Sequence, residues 1–234
     1  MLFRSIEKNL AAIKERIEFA CGKENRDPLS VRVVAICKGR SVEDIRRVLQ
    51  CGITDIGENR VQEAMEKCAV LSAEGGIRWH MVGHLQGNKA RDAVHIFDLI
   101  HSVDSLKLAA DIDRHAAAAG KVQRILAQVN ISAEGSKSGF SPAEVPEAIK
   151  KMFLLRNIRV EGLMTIAPHF FNPEEAQPFF SGLRVLMQEL NYSLPEGQKL
   201  DVLSMGMSED FETALSSGAN MLRLGRIIFE GIGL

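Results

Sequence analysis

The sequence predicts an α/β fold: a (β/α)₈ TIM barrel with an extra helix at its N-terminus. Eight short β-rich runs alternate with longer amphipathic stretches, as strands and helices do around a parallel sheet. No linker rich in Pro, Ser or Gly divides the 234 residues, so residues 1–234 are expected to form a single domain. Eight β/α units in this length suit a closed barrel better than a doubly wound open sheet, which remains the alternative.

The predicted strands are short runs in which β-branched and other apolar residues dominate. In chain order they cover Val31–Cys37, Ile53–Gly57, Ile77–Gly83, Leu99–Val103, Arg124–Asn130, Ile158–Thr165, Leu200–Met205 and Met221–Gly225. In a barrel of parallel strands all carboxyl ends lie on one face, where functional groups gather. The residues that follow these runs are therefore the first candidates for a functional site.

Helices are predicted where apolar residues recur with a helical period. The clearest stretches are Glu43–Leu49, Arg60–Leu71, Leu106–Ala118 and Glu174–Leu190. A leading helix, roughly Ile6–Ala20, precedes the first strand and is expected to cover the bottom of the barrel.

Polar and glycine residues mark the ends of these helices. Ser41, which has Asp44 three residues later, and Ser105 stand where N-caps belong. Glycines that suit a left-handed C-terminal position follow three helical patterns, at Gly52, Gly120 and Gly218. These signals support the alternation of helices and strands.

Composition excludes several classes of function. The chain has 29 Lys and Arg against 30 Asp and Glu, a net charge of −1, which argues against a nucleic-acid binder. No run approaches the length of a membrane span, and the four cysteines show no C-x-x-C pair, so we expect a cytoplasmic protein with free thiols. His80 and His84 lie on a strand-to-loop run rather than a helix, so no metal site is expected.

Lys38 directly follows the apolar run of the first strand. In a partly desolvated position the ammonium form of a lysine is disfavoured, and the free amine can attack an aldehyde to give an imine. A strand-end lysine that extends into water is the alternative interpretation of this position.

The loops after strands 7 and 8 carry the signature of a phosphate site. Ser204-Met-Gly-Met-Ser208 leads from strand 7 to a helix expected to begin near Glu209, and Gly225 follows strand 8. Barrels often bind phosphate with these two loops and a helix N-terminus. Ser208 also suits a plain N-cap, and the two interpretations are compatible. Together with Lys38, the loops suggest a phosphorylated aldehyde as the ligand.

Several strings of residues resemble the pyridoxal phosphate homeostasis protein family, in order over nearly the whole chain. They are Ala-Ile-Cys-Lys38, Asp55-Ile-Gly-Glu-Asn-Arg60-Val-Gln-Glu-Ala, Trp79-His-Met-Val-Gly-His-Leu-Gln-Gly-Asn-Lys89, His101-Ser-Val-Asp104, Asn130-Ile-Ser-Ala-Glu-Gly-Ser-Lys-Ser-Gly139, Gly162-Leu-Met-Thr165 and Leu203-Ser-Met-Gly-Met-Ser-Glu-Asp210. The family is similar in fold to the N-terminal domain of alanine racemase.

The resemblance implies a site for pyridoxal 5′-phosphate (PLP), with Lys38 as the Schiff-base lysine. Arg223 would face the pyridine nitrogen, and Asn59 and His80 would lie near the ring. The phosphate would be held by Ser204, Ser208 and the backbone around Met207, Gly225 and Arg226. The family is described as holding PLP for vitamin B6 homeostasis without an established turnover reaction, with apo PLP-dependent enzymes as conceivable acceptors.

The chain departs from the family pattern at three places, none of which changes Lys38. Arg226 replaces the usual threonine after R-x-G, and Gly39-Arg40-Ser41 replaces the usual Thr and Pro types after the lysine. The end reads Phe229-Glu230-Gly231, where the family has glycine directly after the phenylalanine. The first change exchanges a hydroxyl for a cation at the predicted phosphate.

We expect a carrier rather than a catalyst. A cation such as Arg223 at the pyridine nitrogen disfavours protonation of the ring and makes it a poorer electron sink. Racemisation also needs a second base on the opposite face of the ring, which in alanine racemase is a tyrosine. The single tyrosine of this chain, Tyr192, lies in the segment that leaves a helix, well before strand 7. A PLP-dependent amino-acid racemase or lyase is the main alternative, and a Schiff-base aldolase is a third. We further expect a monomer, and we weigh Lys137 as a second PLP docking point against a solvated loop lysine.

Overall fold

The structure, a computed structural model, describes residues 5–132 and 138–231. Its eight strands are β1 (Arg32–Ile36), β2 (Asp55–Glu58), β3 (Arg78–Met81), β4 (Leu99–Val103), β5 (Gln123–Gln128), β6 (Ile158–Met164), β7 (Val202–Ser204) and β8 (Met221–Leu224). Each strand pairs in parallel with the next, and β8 pairs with β1, which closes the barrel. The predicted (β/α)₈ barrel is confirmed. Lys137 lies outside the described residues, so its predicted role remains a prediction.

Helices connect the strands around the outside of the barrel. They are α1 (Ile6–Lys23), α2 (Val42–Gln50), α3 (Val61–Leu71), α4 (Ala90–Ile96), α5 (Leu106–Ala118), α6 (Val145–Met152), α7 (Gln177–Ser193), α8 (Phe211–Ser216) and α9 (Arg226–Phe229). None of these described helices is long and apolar enough to cross a membrane.

The predicted helix ends are confirmed at the positions that carried clear signals. Ser41 and Asp44 form a reciprocal capping box at the start of α2, and Ser105 accepts a hydrogen bond from the Leu108 N–H at the start of α5. The backbone has positive φ at the three predicted glycines, Gly52, Gly120 and Gly218. These caps satisfy backbone groups that the helices themselves leave unpaired.

The barrel separates two hydrophobic cores. Side chains alternate across a strand, so every second residue points into the barrel. A small inner cluster consists of Val34, Leu99, Leu126, Met164, Val202 and Met221. A much larger cluster contains the residues between the strands and the surrounding helices. The inner cluster leaves the rest of the barrel interior to polar side chains.

Helix α1 does not cover the bottom of the barrel, contrary to the sequence prediction. It packs on the side of the barrel against α8, α9 and α2. Because α9 is only four residues long, the gap between α8 and α2 lacks a full eighth barrel helix, and α1 fills it. The Asn9 side-chain amide donates to the carbonyl oxygens of Ile228 and Glu230, which fixes the C-terminal segment to α1.

Candidate functional site

A cavity of about 420 Å³ opens at the carboxyl ends of the strands. The structure brings seven of the nine predicted site residues together in its lining. They are Lys38, Asn59, Met207, Ser208, Arg223, Gly225 and Arg226. The same face of the barrel was predicted to carry the site, and a cavity of this size is within the range of small-molecule sites.

Lys38 lies in a turn two residues beyond the end of β1 and is exposed. Its position differs from the partly desolvated one that the apolar run predicted, because the chain turns at Lys38, directly after Cys37, whose N–H still donates to the Gly57 carbonyl oxygen at 2.9 Å. Both neighbouring peptide groups are held in place. The Cys37 carbonyl accepts a hydrogen bond from Lys67 Nζ at 2.7 Å, and the Gly39 N–H donates to Glu63 Oε2 at 3.2 Å.

The Lys67 ammonium also forms a buried ion pair with Glu58 beneath the turn of Lys38. Lys67 Nζ lies 2.6 Å from Glu58 Oε1, and the Glu58 side chain is fully buried. Burial raises the pKa of Glu58, and the hydrogen bond from Lys67 opposes this shift. Removing Lys67 would therefore leave a buried carboxyl group without its cation.

Arg223 is buried at the inner end of the cavity, where only a few of its atoms are accessible. Its Nη1 donates to Ser204 Oγ at 2.7 Å, and its Nη2 donates to the Thr165 carbonyl oxygen at 2.8 Å. Burial lowers the pKa of Arg223 to about 10, and the charge of Asp210 opposes the shift. The guanidinium is therefore still a cation at neutral pH, with a fixed orientation.

His80 and Ser204, the other two predicted site residues, do not line the cavity. Ser204 is completely buried and lies 2.9 Å from His101 Nδ1, while it accepts the bond from Arg223. His80 lies one step further inside the barrel, with its Nδ1 2.9 Å from His101 Nε2. Both residues are connected to the cavity through Arg223, so contacts of Ser204 with the phosphate and of His80 with the ring remain predictions.

The turn after β7 brings Met207 and Ser208 to the cavity. Gly206 has a φ of +90°, and a Cβ atom there would lie 2.6 Å from the Ala214 Cβ, so this turn requires glycine. Asp210 Oδ1 accepts the Met207 N–H at 2.6 Å, and burial raises the pKa of Asp210. The turn is thus fixed on both sides of the residues that face the cavity.

Ser208 does not cap the following helix, which begins at Phe211 rather than near Glu209. The Ser208 hydroxyl instead accepts a hydrogen bond from the Ile227 N–H at 3.2 Å, which links the loop after β7 to α9. The two loops that were predicted to share a phosphate therefore touch each other at Ser208.

Arg226 extends over the rim of the cavity rather than into it. Its Nη1 lies 2.5 Å from Glu209 Oε1, and the second carboxylate oxygen of Glu209 lies 3.1 Å from His169 Nε2. All three side chains are largely exposed. The cation that replaces the family's threonine is therefore bound to an anion at the predicted phosphate end of the cavity.

The residues of the cavity fit a phosphorylated aldehyde in the chemistry of their donors. A primary amine, two arginine guanidinium groups and a hydroxyl lie around one space. Among the described residues, no group of three His, Cys, Asp or Glu side chains could hold a metal ion. The donor set of the cavity therefore suits an anion that carries a carbonyl group.

Sequence reasoning missed the residues that support this site from behind. Glu58, Lys67, Asp55 and His101 do not line the cavity but are connected to it through other residues. Lys67 donates to the Cys37 carbonyl beside Lys38 and to Glu58, whereas His101 contacts Ser204, the partner of Arg223, and Asp55 contacts His80. His101 lay within one of the family-like strings, which was the only signal for it. The register between β3 and β4 is needed to show that His101 lies within hydrogen-bonding distance of His80.

Comparisons with known proteins agree with this fold and site. The family model described as alanine racemase, N-terminal domain, matches residues 6–231, so the fold and site define a barrel domain of that class. The chain is 38% identical over 226 residues to a pyridoxal phosphate homeostasis protein of Aquifex aeolicus, covering 95% of this chain and 96% of that protein. It is 40% identical over 202 residues to one from Synechocystis sp., with coverages of 86% and 92%. The chain belongs to the pyridoxal phosphate homeostasis protein family.

A solved structure of a relative was determined with PLP bound. This protein, PipY from Synechococcus elongatus, is 36% identical to the chain and superimposes with a TM-score of 0.85. The match covers 96% of this chain and 100% of that one. The shared fold extends over essentially the whole barrel.

Proposed function

We propose that this protein binds PLP in the cavity at the carboxyl ends of the strands and contributes to PLP homeostasis. The observation that carries this proposal is the convergence of Lys38, Ser208 and Arg223 on one cavity from three different strand ends. The names of the relatives and the PLP-bound structure of PipY support the same ligand.

Lys38 is the residue to which we assign the covalent bond. Its neutral amine condenses with the aldehyde of PLP, which forms a C=N bond and releases one water molecule. When bound, PLP supplies an electron-accepting ring. The backbone contacts on both sides of Lys38, from Lys67 to the Cys37 carbonyl and from the Gly39 N–H to Glu63, hold the lysine at the cavity.

The phosphate is assigned to the end of the cavity formed by the two touching loops. Ser208 offers a hydroxyl, Met207 and Gly225 offer backbone groups, and Arg226 offers a cation at the rim. Asn59 lines the same cavity from the end of β2, so its amide can contact the ring.

Arg223 favours a carrier over an enzyme. It is assigned to the pyridine nitrogen, where its charge disfavours protonation of the ring and so weakens the electron sink on which amino-acid chemistry depends. Tyr192, the only tyrosine of the chain, is 94% exposed and does not line the cavity. Within the described part of the chain, the lining histidine, His169, is bound to Glu209 at the rim.

Free cysteines support a cytoplasmic location. Cys21, Cys37, Cys51 and Cys68 form no disulfide, and burial raises the pKa of Cys68 to about 12, which keeps its thiol unreactive. Apo PLP-dependent enzymes of the same compartment are the acceptors that we propose for the bound PLP.

The absorbance spectrum of the purified protein, before and after addition of PLP, tests the proposal. We expect a visible band that disappears on borohydride reduction, with the reduced adduct on Lys38 in the peptide map. Lys38→Ala should abolish the band, while Lys150→Ala, on the exposed face of α6, should leave it unchanged. An adduct spread over surface lysines would contradict the assignment. Turnover of an added amino acid would favour the racemase or lyase, and a colourless protein would favour the aldolase.

A further inference from the structure

A series of buried polar side chains runs through the barrel interior behind the cavity. It consists of Arg223, Ser204, His101, His80 and Asp55, and we call it the polar wire. Its last contact joins His80 Nε2 to Asp55 Oδ1 at 2.8 Å. Every residue of the wire is at most 5% exposed, so its polar atoms depend on hydrogen bonds within the protein rather than on water.

The two ends of the wire fix the direction of its hydrogen bonds. A guanidinium can only donate, so Arg223 donates to Ser204 Oγ. An ionised carboxylate can only accept, so Asp55 accepts the proton on His80 Nε2. A neutral His80 then accepts at Nδ1 from His101 Nε2. His101 in turn accepts at Nδ1 from the Ser204 hydroxyl, so both histidines carry their proton on Nε2.

The electrostatic setting supports these protonation states. Burial alone would raise the pKa of Asp55, but the hydrogen bonds from Arg78 and His80 outweigh it, and the pKa of Asp55 is lowered. Arg78 donates hydrogen bonds to both carboxylate oxygens of Asp55, from Nε at 2.9 Å and from Nη2 at 2.6 Å. Burial lowers the pKa of His80 and, further, that of His101, so both imidazoles are neutral at pH 7.

We propose that Asp55, His80 and His101 are positioning residues that fix the orientation in which Arg223 faces the ligand, an inference that rests on the proposed PLP site. The Ser204 hydroxyl directs a lone pair at Arg223 because its proton is committed to His101. That commitment holds only while His101 Nδ1 lacks a proton, which Asp55 enforces through His80. The Thr165 carbonyl holds Nη2 of the guanidinium, and the acceptor at Nη1 is set by a carboxylate four hydrogen bonds away.

The tautomers can be measured on the protein without PLP. Long-range ¹H–¹⁵N NMR spectra of the imidazoles at pH 7 should show His80 and His101 neutral and protonated at Nε2. A charged His80, or a proton on His101 Nδ1, would reverse the wire and overturn the inference. In Asp55→Asn the tautomeric signature of His101 should change although this residue does not touch Asp55, with the far-UV circular dichroism unchanged.

Binding of PLP provides the second measurement. Asp55→Asn and Ser204→Ala should each weaken PLP binding about tenfold and shift its visible band, because Arg223 loses its fixed acceptor. Ser102→Ala is the matched control: it removes a buried hydroxyl from the same strand as His101, and that hydroxyl has no hydrogen-bond partner in the described structure. We expect Ser102→Ala to bind PLP like the unmodified protein.

The outcomes separate this inference from the proposed function. Absence of a PLP band in the unmodified protein would contradict the proposed function, while the tautomers would still decide whether the wire exists. A normal band that Asp55→Asn and Ser204→Ala leave unchanged in position and affinity would overturn the positioning role. A tenfold loss in both variants, with Ser102→Ala unaffected, would support it.

Discussion

Among single residues, Lys67 links the stability of the barrel to the position of Lys38. Its ammonium donates both to the backbone carbonyl before Lys38 and to the buried carboxyl group of Glu58. Among the described residues Glu58 Oε2 has no side-chain partner, so the bond from Lys67 to Oε1 is the main favourable interaction of this carboxyl group. Breaking a buried pair by removing one partner is strongly destabilising, since it leaves an uncompensated charge.

We therefore expect Lys67→Met to lower the free energy of unfolding by about 3 kcal/mol. Urea denaturation followed by circular dichroism measures the change. Adding Glu58→Gln to this variant should restore part of the loss, because the neutral amide needs no cation. Lys150→Met, an exposed lysine on α6, is the control and should change stability by less than about 0.5 kcal/mol. If Glu58→Gln lowered the stability of the Lys67→Met variant further, the role of the Glu58–Lys67 pair would be contradicted.

Single residues also show where sequence reasoning succeeds. Lys38 and Asn59 could be identified because each follows a strand that the apolar pattern makes visible, whereas Arg223 lies inside the eighth strand and was identified through the family resemblance. The exposure of Lys38 could not be predicted, because the apolar pattern does not reveal that the chain turns at this residue. Lys67 carried no signal, and Glu58 was marked only by its place in a family-like string, since a carboxylate and a lysine nine residues apart are ordinary on a surface.

Among secondary-structure elements, the strands were predicted in order, and the errors lie at their ends. The prediction for β4 matches the structure, whereas that for β3, Ile77–Gly83, is longer than Arg78–Met81. Apolar residues continue beyond the hydrogen-bonded ladder because the strand ends are also buried. The place of α1 could not be predicted, because an amphipathic helix can pack on the bottom or on the side of a barrel equally well.

The loops after β7 and β8 are joined at the rim by the ion pair of Glu209 and Arg226. Glu209 places a negative charge where the ligand phosphate is proposed, and it engages the cation that would otherwise attract that phosphate. We expect Glu209→Gln to tighten PLP binding about two- to threefold, the size of an exposed charge interaction of roughly 0.5 kcal/mol. Titration of the visible PLP band, with inorganic phosphate as a competitor, measures the effect.

A matched control for this prediction is Glu212→Gln on α8. Glu212 forms an ion pair of similar exposure with Arg16, at 2.7 Å, but does not line the cavity. Its loss should leave PLP affinity unchanged. Weaker binding in Glu209→Gln would mean that the carboxylate orients Arg226 toward the ligand instead of withholding it.

At the scale of the whole molecule, the contacts between side chains inside the barrel are the feature that could not be predicted from the sequence. Eight alternating units indicate a barrel, but the polar wire exists only because particular registers bring His80 and His101, from adjacent strands, within hydrogen-bonding distance. A shift by one residue would turn either side chain to the outer face. The interior thus depends on the relation between strands, which no single run of residues contains.

The buried histidines also give the molecule a pH dependence. Burial holds the pKa of His101 well below that of an unfolded histidine, which is about 6.5. Below pH 6.5 the imidazole of His101 therefore stays neutral in the folded protein, while in the unfolded protein it takes up a proton. The contribution of neutral His101 to the free energy of unfolding is fully present above pH 6.5 and is lost as the pH falls below it. We expect His101 to cost about 1.4 kcal/mol of unfolding free energy per pH unit below 6.5. His80 acts in the same direction.

Comparison of variants isolates the contribution of His101 to the pH dependence of stability. Glu58 acts in the opposite direction, because its raised pKa makes the folded state bind a proton more readily than the unfolded one. The measurement is therefore the difference in urea stability between the unmodified protein and His101→Gln, taken from pH 7.5 to 5.5. The difference should shrink as the pH falls. A difference that stays constant would mean that folding does not shift the pKa of His101. A difference that grows as the pH falls would mean that His101 is charged inside the barrel, which would contradict the neutral histidine of the polar wire.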